Sequence, residues 1–87
     1  MGRLYSGNLN AFIAACNRLY QLDFAVIAVE QEASPNIKAT MHLRIEDRAG
    51  RILAQEEIHH PDEDVLYNTA TAWLNRIATQ LEQWSKA

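Results

Sequence analysis

Between Asn8 and Gln21, apolar side chains recur at Leu9, Phe12, Ile13, Cys16, Leu19 and Tyr20, the three- and four-residue spacing of one helix face. Asn10, Asn17, Arg18 and Gln21 take the other side. The pattern predicts an amphipathic helix with Asn8 as its N-cap and Ser6 as the rival. From Leu22 to Gln31 the period changes to two, with Phe24, Val26 and Ala28 on one face and Ala25, Ile27 and Val29 on the other. Both faces of this strand are apolar. After the Glu32-Ala33-Ser34-Pro35 turn, Ile37 to Glu46 alternates strictly: Ile37, Ala39, Met41, Leu43 and Ile45 inward, Lys38, Thr40, His42, Arg44 and Glu46 outward.

Asp47-Arg48-Ala49-Gly50 predicts a hairpin connection, with Gly50 supplying a positive φ. A third strand runs from Arg51 to about His59, with Ile52, Ala54 and Ile58 inward. Symmetric closure would set Glu46 opposite Arg51, His42 opposite Gln55 and Thr40 opposite Glu57, and would bring Asp23 beside Arg44. Pro61 then opens a long helix to about Ser85, capped by Asp62 and begun by the acids Glu63 and Asp64, which suit the positive end of the helix dipole. Leu66, Ala70, Trp73, Ile77, Leu81 and Trp84 form its buried stripe, widened by Leu74 and Ala78. The chain therefore reads as a single α+β domain over residues 1–87, α-β-β-β-α: a three-stranded antiparallel meander with both helices on one face.

That order of elements is similar to the double-stranded-RNA-binding domain over nearly the whole chain. The resemblance is one of topology, and topology is a poor guide to activity. In that family RNA contact depends on a lysine cluster at the start of the second helix and on a Gly-Pro-x-His turn between the first two strands. Here the second helix opens with Asp62, Glu63 and Asp64, and the turn is Glu32-Ala33-Ser34-Pro35. Carboxylates at those positions would repel phosphates.

Eighty-seven residues suffice for one core, and 48% hydrophobic with 22% charged residues is ordinary globular usage. A net charge of −3 suits neither an electrostatic nucleic-acid binder nor a polyanionic nucleic-acid mimic. Cys16 is the one cysteine, which excludes an internal disulfide and a cysteine-based zinc site, and its place on the helix stripe predicts a buried thiol. No apolar run spans a membrane and no signal peptide is visible, so the expectation is a cytoplasmic protein. Met1-Gly2-Arg3-Leu4-Tyr5-Ser6 matches the loose myristoylation pattern without a supporting basic patch.

Candidate chemistry is sparse. Glu56-Glu57-Ile58-His59-His60-Pro61-Asp62-Glu63-Asp64 invites a metal-site reading, but adjacent His59 and His60 point to opposite faces of an extended segment. Cys16 and His42 fall on opposite sides of the sheet, and no phosphate loop or nucleophile motif occurs. We expect no enzyme, no cofactor and no metal.

The open sheet face is more informative. Ala25, Ile27, Val29 and Leu53 are apolar there, beside Lys38, His42 and Arg44, and a contiguous apolar strip on a sheet edge calls for a partner. The alternative is that Arg3-Leu4-Tyr5 fold over this strip. The leading expectation is a non-enzymatic protein-interaction module acting through this face and the first-strand edge, as a homodimer or with a heterologous protein. Size and architecture are also those of phage- or mobile-element-encoded inhibitors such as anti-CRISPR and anti-restriction proteins. Glu46, Asp47, Glu56, Glu57, Asp62, Glu63 and Asp64 are seven of the eleven acids, and Asp62, Glu63 and Asp64 are candidate contacts to a basic target. The rival readings are nucleic-acid binding through Arg3, Arg18, Lys38, Arg44, Arg48 and Arg51, and metal binding at His59 and His60.

Overall fold

In the computed structural model the described backbone covers residues 3–32 and 39–86, and the described side chains are those of residues 9–31 and 40–84. The elements are α1 (Arg3–Gln21), β1 (Ala25–Glu32), β2 (Ala39–Glu46), β3 (Ile52–His60) and α2 (Glu63–Lys86). The strands pair antiparallel in the order β1-β2-β3. The α+β, α-β-β-β-α architecture is the one the pattern predicts.

α1 begins at Arg3, so Ser6 and Asn8 lie inside the helix and neither caps it. A capping side chain acts only where the backbone leaves the helix, and no proline interrupts this stretch. Arg3, Leu4 and Tyr5 form the first turn of α1 and do not cross the open sheet face. At the other end, Asp23 N–H donates to Tyr20 O at 3.0 Å and Phe24 N–H to Leu19 O at 3.1 Å. With Asp23 at φ 72°, this is a Schellman ending in which an aspartate takes the left-handed position usually given to glycine. β1 accordingly starts at Ala25, three residues later than the alternation predicts.

α2 is capped as expected: Asp64 N–H donates to Asp62 Oδ1 at 2.9 Å and Leu66 N–H to Asp62 O at 3.0 Å. The core joins Phe12, Ala15, Cys16 and Leu19 of α1 to Met41, Leu43 and Ile45 of β2, Ile58 of β3, and Leu66, Ala70, Trp73, Leu74 and Ala78 of α2. Phe12 and Tyr67 close its far end edge-to-face, their ring centroids 5.4 Å apart. Ile37 and Ala39, expected inward on β2, lie outside the described side chains. Trp84, expected in the stripe, is 73% exposed. Its spacing is correct, but α2 at 24 residues runs about 36 Å, beyond the roughly 30 Å of nine-residue β3, and the last turn has little beneath it. Ile52, expected inward, stands opposite the outward Glu46 and is exposed, because the bulge at Leu53 breaks the alternation there. Ala28, on the helix-side face of β1, is exposed as well.

Both expected registers shift. Arg44 stands opposite Ile27 and Gln55, His42 opposite Val29 and Glu57, and Thr40 opposite Gln31 and His59. Asp23 lies off the ladder, in the turn, and pairs with Arg48 at 3.1 Å instead of Arg44. The β2–β3 loop closes one residue wider than symmetric: Asp47 N–H donates to Arg51 O and Gly50 N–H to Asp47 O, both at 3.0 Å, with Gly50 at φ 84°. A bulge then inserts Leu53 between the pairs Glu46–Ile52 and Ile45–Ala54, adding a second residue of shift.

Candidate interaction surface

With the helices on one side of the sheet, three columns of side chains face the other. β1 contributes Ala25, Ile27 and Val29, β2 contributes Thr40, His42 and Arg44, and β3 contributes Leu53, Gln55, Glu57 and His59. Alternation along each strand dictates the membership, and the ladder decides which side chains become neighbours. The β1 column is apolar, the β2 column carries His42 and Arg44, and the β3 column is mixed, with Leu53 and Gln55 beside Glu57 and His59. Val29 is 48% exposed and Leu53 42%, while Ile27 is half-buried. Between the columns lies a depression of about 410 Å³ whose lining includes Ile27, Val29, His42, Arg44, Gln55 and Glu57.

Glu57 organises the polar half. Its Oε2 lies 3.7 Å from His42 Nε2 and 3.5 Å from His59 Nε2, and His59 Nδ1 meets Thr40 Oγ1 at 3.1 Å. Arg44 Nε is 2.9 Å from Glu46 Oε2. The face thus brings together Ala25, Ile27, Val29, His42, Arg44 and Leu53 of the predicted set. Lys38 lies outside the described residues. Alternation places Glu57 on this face opposite Thr40, and the observed register sets it against His42 instead.

The acidic turn is a separate feature. Asp62 Oδ1 is engaged in the α2 cap, and Glu63 and Asp64 occupy the first helical turn. His60 Nδ1 accepts from Asp62 N–H at 3.0 Å, so His60 serves the turn while His59 serves the sheet face. Among the described residues, no three His, Cys, Asp or Glu side chains are grouped to hold a metal ion. Of the basic residues considered for nucleic acid, Arg18, Arg44, Arg48 and Arg51 each have a carboxylate partner: Glu82, Glu46, Asp23 and Asp47. The side chain of Arg3 lies outside the described residues. Cys16 is buried on the helix side of the sheet, where burial pushes its thiol up, and His42 faces the opposite way. Among the described residues no helix is long and apolar enough to cross a membrane.

Residues 1–85 match the family described as Bacteriophage T7-like, gene 1.2. The chain belongs to this family. It is 51% identical over 84 residues to the protein of Escherichia phage T7 named inhibitor of dGTPase, covering 97% of this chain and 99% of that one. It is also 33% identical over 89 residues to the gene 1.2 protein of Enterobacteria phage T3, covering 97% of each. Across this gene 1.2 relationship the similarity spans both helices and all three strands.

Proposed function

We propose that this chain is a phage-encoded, non-catalytic inhibitor that binds the dGTPase of the bacterial host through its open sheet face. The observation that carries the reading is 51% identity over 97% of the chain to the phage T7 inhibitor of dGTPase. The target class follows that relative, where size and architecture alone pointed only to inhibitors such as anti-CRISPR and anti-restriction proteins. Ile27, Val29 and Leu53 are the apolar anchors, each worth about 1.5–3 kcal/mol if fully buried. His42, Arg44 and Glu57 set orientation, since charge pairs at an interface contribute chiefly to specificity and association rate. Glu63 and Asp64 at the start of α2 add an acidic flank suited to a basic patch on the target.

The test is hydrolysis of dGTP by the purified dGTPase with this protein added in increasing amounts. Inhibition is expected to approach completion near stoichiometric addition. It is expected to be lost with Ile27→Asp, whose helix content stays that of the wild type. An enzyme that keeps its full rate with the protein in excess would overturn the reading.

A further inference from the structure

The open face is small for a stable complex. Three strands about 4.8 Å apart and about eight residues long at about 3.3 Å each present roughly 380 Å² in projection, and a standard interface takes about 800 Å² of accessible surface from each partner. A surface that continues around an edge would reach that size more readily, and the two edges of this sheet differ.

β3 is guarded. It carries Glu56, Glu57 and His59, its Glu56 is exposed although it stands opposite the inward Leu43, and α2 packs along it. β1 is bare: from Ala25 to Val29 it has no charge and no proline. α1 adds a second observation. Arg18 donates to Thr79 Oγ1 at 2.9 Å and to Glu82 Oε1 at 3.2 Å, which marks the flank of α1 that faces α2. At about 100° per residue, Leu9, Ile13 and Tyr20 fall within about 40° of one another and about 140–180° around the helix from Arg18. They lie on the β1 side, where Tyr20 Oη donates to Val26 O at 3.3 Å. They are 42%, 46% and 50% exposed. α1 thus holds an apolar stripe beside the β1 edge, where no fourth strand lies among the described residues.

We infer that the free edge of β1, roofed by Leu9, Ile13 and Tyr20, accepts an extended strand from the target protein. The inference rests on the reading of this chain as a protein-binding inhibitor. The added strand would be apolar on both faces over four or five residues. One set of its side chains would meet the α1 stripe, and the alternate set would continue the open face beside Ile27 and Val29. Its backbone would pair with the outward groups of Val26 and Ala28, taking the place of Tyr20 Oη at Val26 O. A second copy of this chain fits less well. Antiparallel β1–β1 pairing puts both α1 helices on the same face, over strands only about 4.8 Å apart, whereas packed helices need about 8–10 Å. A bare strand brings no helix with it.

The experiment is amide hydrogen exchange of the wild-type chain, alone and with the dGTPase, together with the affinity of Ile13→Glu. The outward amides of Val26 and Ala28 exchange fast in the free chain and are expected to slow by about tenfold or more in the complex. Ile13→Glu, at an exposed site, is expected to keep its helix content and bind about tenfold more weakly. A complex whose outward β1 amides still exchange at the free rate overturns the inference while leaving the inhibitor reading intact. Absence of any complex with the wild type overturns both. Protection of β1 that grows with protein concentration in the absence of dGTPase overturns it in favour of a second copy.

Discussion

Tyr67 and Glu30 meet across the far end of the fold, the phenol donating to Glu30 Oε1 at 3.0 Å between residues 37 apart in the chain. The bond ties the first turns of α2 to the end of β1. Burial, reinforced by the Glu30 carboxylate, pushes the phenol up to about 12 from its ordinary 10.0. The folded chain therefore holds this proton more tightly than the unfolded one. The resulting stability is complete below pH 10.0 and is lost as pH rises through about 12. Tyr67→Phe is expected to cost about 0.5–1 kcal/mol at pH 8. Urea midpoints for both proteins from pH 8 to 12 check this, and the gap between them should close at the alkaline end. A constant gap would show that the hydroxyl is not responsible.

Asp23 occupies a left-handed backbone position without glycine's freedom. Its ion pair with Arg48 is exposed on both sides and worth little. Asp23→Gly is therefore expected to stabilise the chain by about 0.5–1 kcal/mol, and Asp23→Val to destabilise it by at least as much. Thermal melts of the two variants decide the matter, and a Val variant as stable as the Gly variant would contradict the assigned turn.

Asp47 holds the β2–β3 loop. Its Oδ1 accepts from Ala49 N–H and Arg51 N–H, each at 2.9 Å, and its Oδ2 from Arg51 Nε at 2.8 Å. The Arg51 backbone amide leads in holding the carboxyl below its ordinary 3.8, with the Arg51 side chain adding to it. A lowered carboxyl stabilises the fold above its ordinary value, and that contribution disappears as pH falls through the folded value. Asp47→Asn keeps the acceptor and loses the charge, so it should melt between the wild type and Asp47→Ala at pH 7. The advantage of wild type over Asn should shrink as pH falls below 3.8, as melting followed from pH 7 down into acid will reveal.

The proposed face and the acidic flank separate by salt. Glu63→Lys with Asp64→Lys, leaving the Asp62 cap in place, is expected to slow association with the dGTPase and to flatten its dependence on ionic strength. Ile27→Asp is expected to act on dissociation instead, whatever the salt. Stopped-flow association at low and at physiological salt distinguishes the two effects. Salt-independent association of the wild type would remove the acidic flank from the interface.

Local patterns carried most of the architecture. Strict alternation in Met41, Leu43 and Ile45 against His42 and Arg44 assigned β2 and both its faces, because a pleat allows only two directions. Asp62 before two acids marked the start of α2, since capping needs only neighbouring backbone. The open-face residues followed from the same parity. Their neighbours did not: two residues of slip, one in the loop and one at Leu53, moved His42 from Gln55 to Glu57.

Periodicity determined which residues turn toward the sheet, and with it the number, order and kind of the elements. Which apolar residues are covered was left to the tertiary structure. Leu9, Ile13, Tyr20 and Trp84 keep helical spacing as faithfully as Phe12 and Trp73, yet they stay exposed, because burial needs another layer above and the sheet ends before it reaches them. Register was decided in three dimensions too, by the hydrogen bonds of Asp47 and the bulge at Leu53, since pattern fixes the face of a strand but not its position along its neighbour.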